Sequence, residues 1–249
     1  MKEYLVDAII LKSIKAGEAD RVLTLYTRQV GKKRVIAHGV EKPTSRKRGA
    51  VQPFGYSRLL LRRGRDLDSV SQGEGIEIFP GLRQSLEGLA RASYLAELVD
   101  AFTLDGDPNP QIFELLRDTF MLLGGRCDFV AARAFEIKLV SLLGYRPGLE
   151  ACVLCGVPAG RERVYFGAGQ GGIVCGRCRS GSGGTVEISR GALENLKALM
   201  RWETGRIHQL RITPAAGKEI KNVMRRFIEY HLEKTVKSLK FEELLDGNE

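Results

Sequence analysis

Two Cys-x-x-Cys pairs, Cys152/Cys155 and Cys175/Cys178, with nineteen residues between them, restrict this chain more than any other feature. Two residues between thiolates let one tight turn offer both sulfurs to a single ion. A second such turn completes a tetrahedral four-thiolate shell of the kind zinc takes. Gly156 and Gly176 adjoin the turns, and glycine tolerates the positive φ that bends backbone amides toward sulfur. The competing reading is a pair of disulfides, which requires an oxidising compartment. The N-terminal apolar runs, Leu5-Val6 and Ala8 to Leu11, are split by Asp7 and too short for a signal peptide. No membrane-length apolar stretch occurs elsewhere. A cytoplasmic setting and zinc are therefore expected, and four thiolates leave no position for water or substrate, so the metal is structural. Cys127 has no partner at ligand spacing and reads as a small, partly buried side chain.

Charge is distributed unevenly. The chain carries a net +9, and residues 1–79 hold sixteen Lys/Arg against nine Asp/Glu. Such clustering favours a polyanionic partner, either nucleic acid or an acidic protein surface, over a charge that serves solubility alone.

Residues 3–77 read as five short strands separated by turn signals: Tyr4–Leu11, Arg21–Thr27, Lys32–His38, Tyr56–Leu61 and Leu67–Ile78. That pattern suits a small closed β-barrel, with an OB-fold as the leading candidate. From Pro80 the apolar spacing becomes helical, is broken at Asp105 to Pro110, and resumes in two further helices that end at Gly144. Ser189 is an N-cap candidate, and a last long helix begins after Pro214. The fold class is thus α+β: an OB-fold domain over 1–79, then a helical domain over 80–249 with a zinc module inserted at about 150–180.

Arg28, Lys32, Lys33, Arg34, Lys42, Arg46, Lys47 and Arg48 fall within twenty-one residues and are opposed only by Glu41. With His38 they form a candidate strip that follows a phosphate backbone without reading sequence. Tyr26, Phe54 and Tyr56 are the nearby aromatics, each equally a core residue or a base-stacking platform. On the last helix, Lys218, Lys221 and Arg225 border an apolar stripe, either as a solvated face or as the rim of a groove for a short acidic peptide. Three scattered histidines (38, 208 and 231), unpaired carboxylates and the absence of a phosphate-binding loop argue against an enzyme.

The order of features along the chain resembles the RecO family of bacterial recombination mediators. The residues that carry the resemblance are Ala37-His38-Gly39-Val40, Pro53-Phe54, Leu142-Leu143-Gly144-Tyr145-Arg146-Pro147 running into Cys152-Val153-Leu154-Cys155-Gly156, Tyr230-His231-Leu232-Glu233 and Ser238-Leu239-Lys240. The resemblance implies binding of single- and double-stranded DNA, strand annealing without ATP, and work with a RecR-like partner. It also implies help to RecA on DNA coated by single-strand DNA-binding protein, docking of that protein's acidic tail, and a nucleoid-associated location. For the tail, Arg133, Lys218, Lys221 and Arg225 are candidates by charge and helical context. The alternative is an RNA-binding factor in translation or RNA processing, since basic OB-folds and four-cysteine zinc modules also serve RNA.

Overall fold

Alternation of apolar and polar residues builds β1 (Glu3–Ala16), β2 (Asp20–Thr27), β3 (Gly31–Ala37), β4 (Tyr56–Arg62) and β5 (Asp68–Glu77) in the computed structural model. The structure describes residues 2–123, 128–159 and 163–232; the expectations for Cys127 and for the Ser238-Leu239-Lys240 segment lie outside them. The strands close in the order β1-β2-β3-β5-β4. β4 pairs back onto β1, and a short parallel contact joins β3 to β5 through Val35–Asp68 and Ile36–Ser69. Val6, Ala8, Ile10, Leu23, Leu25, Val35, Leu59 and Leu61 fill the barrel. Each Val, Leu or Ile buried this way contributes about 1.5–3 kcal/mol.

A break in register between Ile10 and Lys12 reverses the phase of β1. Such a bulge leaves one residue unpaired and re-aims those beyond it. Before the bulge the even-numbered residues point into the core; after it Lys12 and Ile14 stand exposed on the outer face.

Two helices pack on the barrel, α1 (Leu86–Phe102) and α2 (Pro110–Leu122). Asn109 caps α2 by accepting from the Gln111 and Ile112 amides, and Pro110 fits the first turn, where no amide is needed. The outward residues Ile9 and Tyr26 are fully buried, and Tyr56 meets Phe113 edge to face at 5.5 Å. Gly31 has φ 68°, and a Cβ there would lie 2.2 Å from the Asp107 carbonyl oxygen, so only glycine lets this loop approach. Strands give way to helices at residues 79–80, but the described residues up to 123 form one compact unit and those from 128 another.

In the second unit α3 (Asp128–Leu142) packs against α5 (Arg190–Arg201) and α6 (Pro214–Leu232). Residues on every side of α3 are buried, among them Ala131, Ala132, Ala134, Phe135, Ile137 and Val140. A helix apolar all round is a core helix. By contrast α5 and α6 bury one stripe each: Leu193, Leu196 and Leu199, and Ile220, Val223, Met224 and Phe227. Ser189 caps α5 through the Ala192 amide, as expected. A small sheet, β7-β6-β8, is made of β6 (Val164–Gly167), β7 (Gly172–Cys175) and β8 (Val186–Ile188). Phe166 of β6 meets Phe227 of α6 edge to face at 5.6 Å. His231 sits among Tyr145, Phe227 and Tyr230. Among the described residues no helix is long and apolar enough to cross a membrane.

Candidate nucleic-acid interface and metal centre

The nine candidate residues of the basic strip fall into two groups. Arg28 pairs with Glu114 at 2.5 Å and lies over the Phe113 ring. Lys32, with a side chain only 13 % exposed, reaches Asp100 at 3.3 Å and Asp105 at 3.6 Å and donates to the Asp100 carbonyl. Lys33 lies in the inward phase of β3, 2.9 Å from Asp68, which also accepts from the Tyr4 hydroxyl. His38 meets Asp20 at 2.6 Å, and the Gly39 amide donates to the other oxygen of that carboxylate. The Gly39 amide and then His38 hold Asp20 below the usual carboxylate range.

Arg34, Lys42 and Arg46 are exposed and form no ion pair among the described residues, although the charge of Lys42 acts on the Asp20 carboxylate from further away. Lys47 donates to the Val70 carbonyl, and Arg48 to those of Val40 and Glu41, which orients both cations without placing either in an ion pair. The strip thus keeps its charge at Arg34 and along the 42–48 loop.

Lys12 was not singled out by sequence pattern, yet it pairs in register with Thr24, which pairs with Arg34. The two cations therefore share one outer row across three strands, beside a row of Ile14, Val22 and Ile36. The bulge puts Lys12 there, and only strand register reveals it. On the β1–β4 face, by contrast, charges cancel in cross-strand pairs: Arg58 with Asp7 and Arg62 with Glu3. Tyr26 is buried, and Phe54 and Tyr56 meet Phe120 and Phe113 in T-shaped contacts. These three rings belong to the packing between barrel and helices and are not an open stacking platform.

On the second unit, Arg133 is corrected as a surface candidate. Its side chain is 0 % exposed, sits 3.0 Å from an equally buried Glu136 and lies over the Phe129 ring. It occupies the all-round buried helix α3, where a guanidinium must be paired. Lys218, Lys221 and Arg225 follow each other along α6; Lys218 is exposed and the other two half-buried.

The four cysteines come together. Cys152 and Cys155 form a turn closed by the Gly156 amide on the Cys152 carbonyl, with Gly156 at φ 75°. The Val153 amide on the Ile173 carbonyl pins this turn to β7. Cys175 ends β7, and Cys178 lies in the single turn α4 (Gly176–Arg179). The glycine run 167–172 provides the tight β6–β7 hairpin; a Cβ at Gly172 would lie 2.3 Å from the Gly148 carbonyl oxygen.

The four sulfurs lie within 4.8 Å of one another, and Cys155 and Cys175 are 3.7 Å apart. A tetrahedron with metal–sulfur bonds of about 2.3 Å places sulfurs about 3.8 Å apart, so the group could hold a metal ion. Electrostatics agree. Burial opposes ionisation of Cys152, but amides of Cys175, Leu154 and Cys155 outweigh it and bring the thiol down to about 6. Cys178, crowded first by the Cys175 sulfur and then by Cys155, is pushed up to about 12.

Comparison with known proteins agrees with this architecture. Residues 1–79 match the family model for the recombination protein O N terminal region, and residues 83–240 that for its C terminal region. The chain is 51% identical over 242 residues to the DNA repair protein RecO of Pelotomaculum thermopropionicum, covering 97% of this chain and 94% of that one. It is 42% identical over 241 residues to the DNA repair protein RecO of Desulforamulus reducens, again covering 97% and 94%. The corresponding protein of Moorella thermoacetica is 36% identical over 246 residues, covering 98% and 92%.

Proposed function

The chain belongs to the RecO family, and on that premise we propose that it is a DNA-binding recombination mediator in DNA repair. It binds single- and double-stranded DNA, anneals complementary strands without ATP, and assists RecA loading on strands coated by single-strand DNA-binding protein. A RecR-like protein is its partner, and its workplace is the cytoplasm, at the nucleoid. One observation carries the DNA-binding reading. Arg34, Lys42 and Arg46 stand exposed and form no ion pair among the described residues, with Lys12 in the same outer row as Arg34.

Cations on that surface contact phosphate oxygens and are indifferent to base identity. Two complementary strands repel through their phosphates. A cationic surface neutralises part of that repulsion and raises the local concentration of both strands, so pairing proceeds without an energy source. Lys218, Lys221 and Arg225 on α6 are the cations offered to the acidic tail of single-strand DNA-binding protein, a second weak contact that adds by effective concentration. Zinc is the metal for Cys152, Cys155, Cys175 and Cys178. Bound there it supplies no chemistry beyond holding the two turns together.

The test is strand annealing with and without single-strand DNA-binding protein, comparing wild type with an Arg34/Lys42/Arg46→Ala variant. Lys32 and Lys33 are left intact because their ion pairs hold the fold. Acceleration on coated strands that the variant loses is the expected result. No acceleration on either template, together with tighter binding to structured RNA, would replace the mediator reading with an RNA-binding one.

A further inference from the structure

The inward row of β2 runs Leu25, Leu23, Arg21, and at the Arg21 end the barrel opens into a cavity of about 560 Å³. Pockets of roughly 300–1,000 Å³ hold small ligands. Arg21, Arg48, Arg83 and Glu41 line it, giving a net charge of +2, and Val51, Pro53 and Leu89 supply apolar surface. Arg21 is neutralised by Glu41 and also donates to the Ser13 hydroxyl. Arg48 and Arg83 are different, because backbone carbonyls hold them. Arg83 donates from Nε to Ile78 at 3.3 Å and from Nη2 to Pro53 at 2.8 Å. Arg48 donates from Nε and Nη2 to Val40 and Glu41. In each the Nη1 group has no hydrogen-bond partner among the described residues. Guanidiniums oriented by backbone carbonyls, with no ion pair of their own among the described residues, are pre-organised for an oxyanion.

A second observation marks the same wall. Phe54, which lines the cavity, has φ 62°, a left-handed backbone that a bulky residue rarely adopts. The turn is held by the Phe54 amide on the Ile10 carbonyl and the Gly55 amide on the Gln52 carbonyl. It presents the Pro53 carbonyl that fixes Arg83. Backbone strain of this kind persists where the surrounding structure maintains it, and it concentrates at ligand sites.

We propose that this cavity receives a nucleotide bearing a terminal phosphate: the end of a DNA strand. The phosphate lies between Arg48 and Arg83, and the sugar or base covers Val51, Pro53 and Leu89. A terminal phosphomonoester carries nearly two charges at neutral pH, against one for an internal phosphodiester, and the cavity's net charge of +2 matches the former. A free nucleoside monophosphate has the same chemistry. The inference rests on the DNA-binding reading and adds a preference for ends to it.

Wild type and Arg83→Gln are titrated with short single strands ending in 5′-phosphate, 3′-phosphate or hydroxyl, with a circular single strand, and with dAMP. The expected result is several-fold tighter binding of a phosphorylated end than of the hydroxyl end, competed by dAMP. Arg83→Gln loses that preference while binding the circle as wild type does. Equal affinity for all three ends in the wild type overturns the proposal, and dAMP binding without end preference assigns the cavity to a free nucleotide instead. Failure to bind the circle counts against the DNA-binding reading; the dAMP titration then decides the cavity alone, and no dAMP binding overturns it. Wild-type titrations alone decide the outcome should Arg83→Gln not fold.

Discussion

At the scale of single residues, cations that look alike in sequence separate by what they touch. Lys32 and Arg34 are two positions apart on β3, yet the first is 13 % exposed against Asp100 and the second is open. Lys32→Ala is expected to lower stability by about 1–2 kcal/mol, mainly through the lost charged hydrogen bond to the Asp100 carbonyl. Its effect on DNA affinity should be small. Arg34→Ala should do the reverse, weakening DNA binding while leaving the melting temperature unchanged. Thermal melts beside anisotropy titrations separate the two. Asp68, 12 % exposed, makes a pH-dependent contribution. Burial opposes its ionisation, but the Tyr4 hydroxyl, Lys33 and the Gly64 amide outweigh that and hold its carboxyl below the ordinary value. A depressed folded pKa stabilises above the unfolded value, about 3.9, and that stability is lost as pH falls through the folded pKa. Asp68→Asn should cost about 1–3 kcal/mol at neutral pH and flatten the acid limb of a stability–pH curve. An unchanged acid limb would assign that limb to other carboxylates.

At the scale of elements, the four-cysteine module was legible because its chemistry is local. Two residues between sulfurs define a turn whatever the rest of the chain does, and the structure needs only the β6–β7 hairpin to bring the two turns together. Cys175→Ser, or a strong chelator, should lower the melting temperature of the 128–232 unit, because a structural metal contributes folding free energy directly. DNA contacts on the barrel should not change at temperatures where both units are folded. Identical melting with and without chelator would refute a structural metal. Strands β2 to β5 and the first half of β1 were also legible; the Lys12–Ala16 half of β1, beyond the expected end at Leu11, was not. The bulge beside Leu11 was not, since a break in register depends on the partner strand and leaves little mark in the strand's own sequence. Arg133 failed as a surface candidate for a related reason. Charge and helical context made it a candidate, and the tertiary packing of α3 buries it completely.

At the scale of the molecule, binding through unpaired surface cations should be strongly salt-dependent. If about five phosphates are neutralised, affinity falls roughly 10²–10³-fold between 50 and 200 mM salt, and Arg34/Lys42/Arg46→Ala should flatten the slope by about three counterions. A slope unchanged in the variant would move the interface away from this face. The sequence by itself determined the elements whose cause is local: strands that alternate, helices with caps, four cysteines at metal spacing, and a basic first third. Only the tertiary structure decided which cations are free, because the partners that cancel them are remote in sequence. Asp68 reaches Lys33, Asp100 reaches Lys32 and Glu114 reaches Arg28 across folds of the chain. Charge composition is additive along a sequence; charge exposure depends on which distant carboxylate the fold brings within 4 Å.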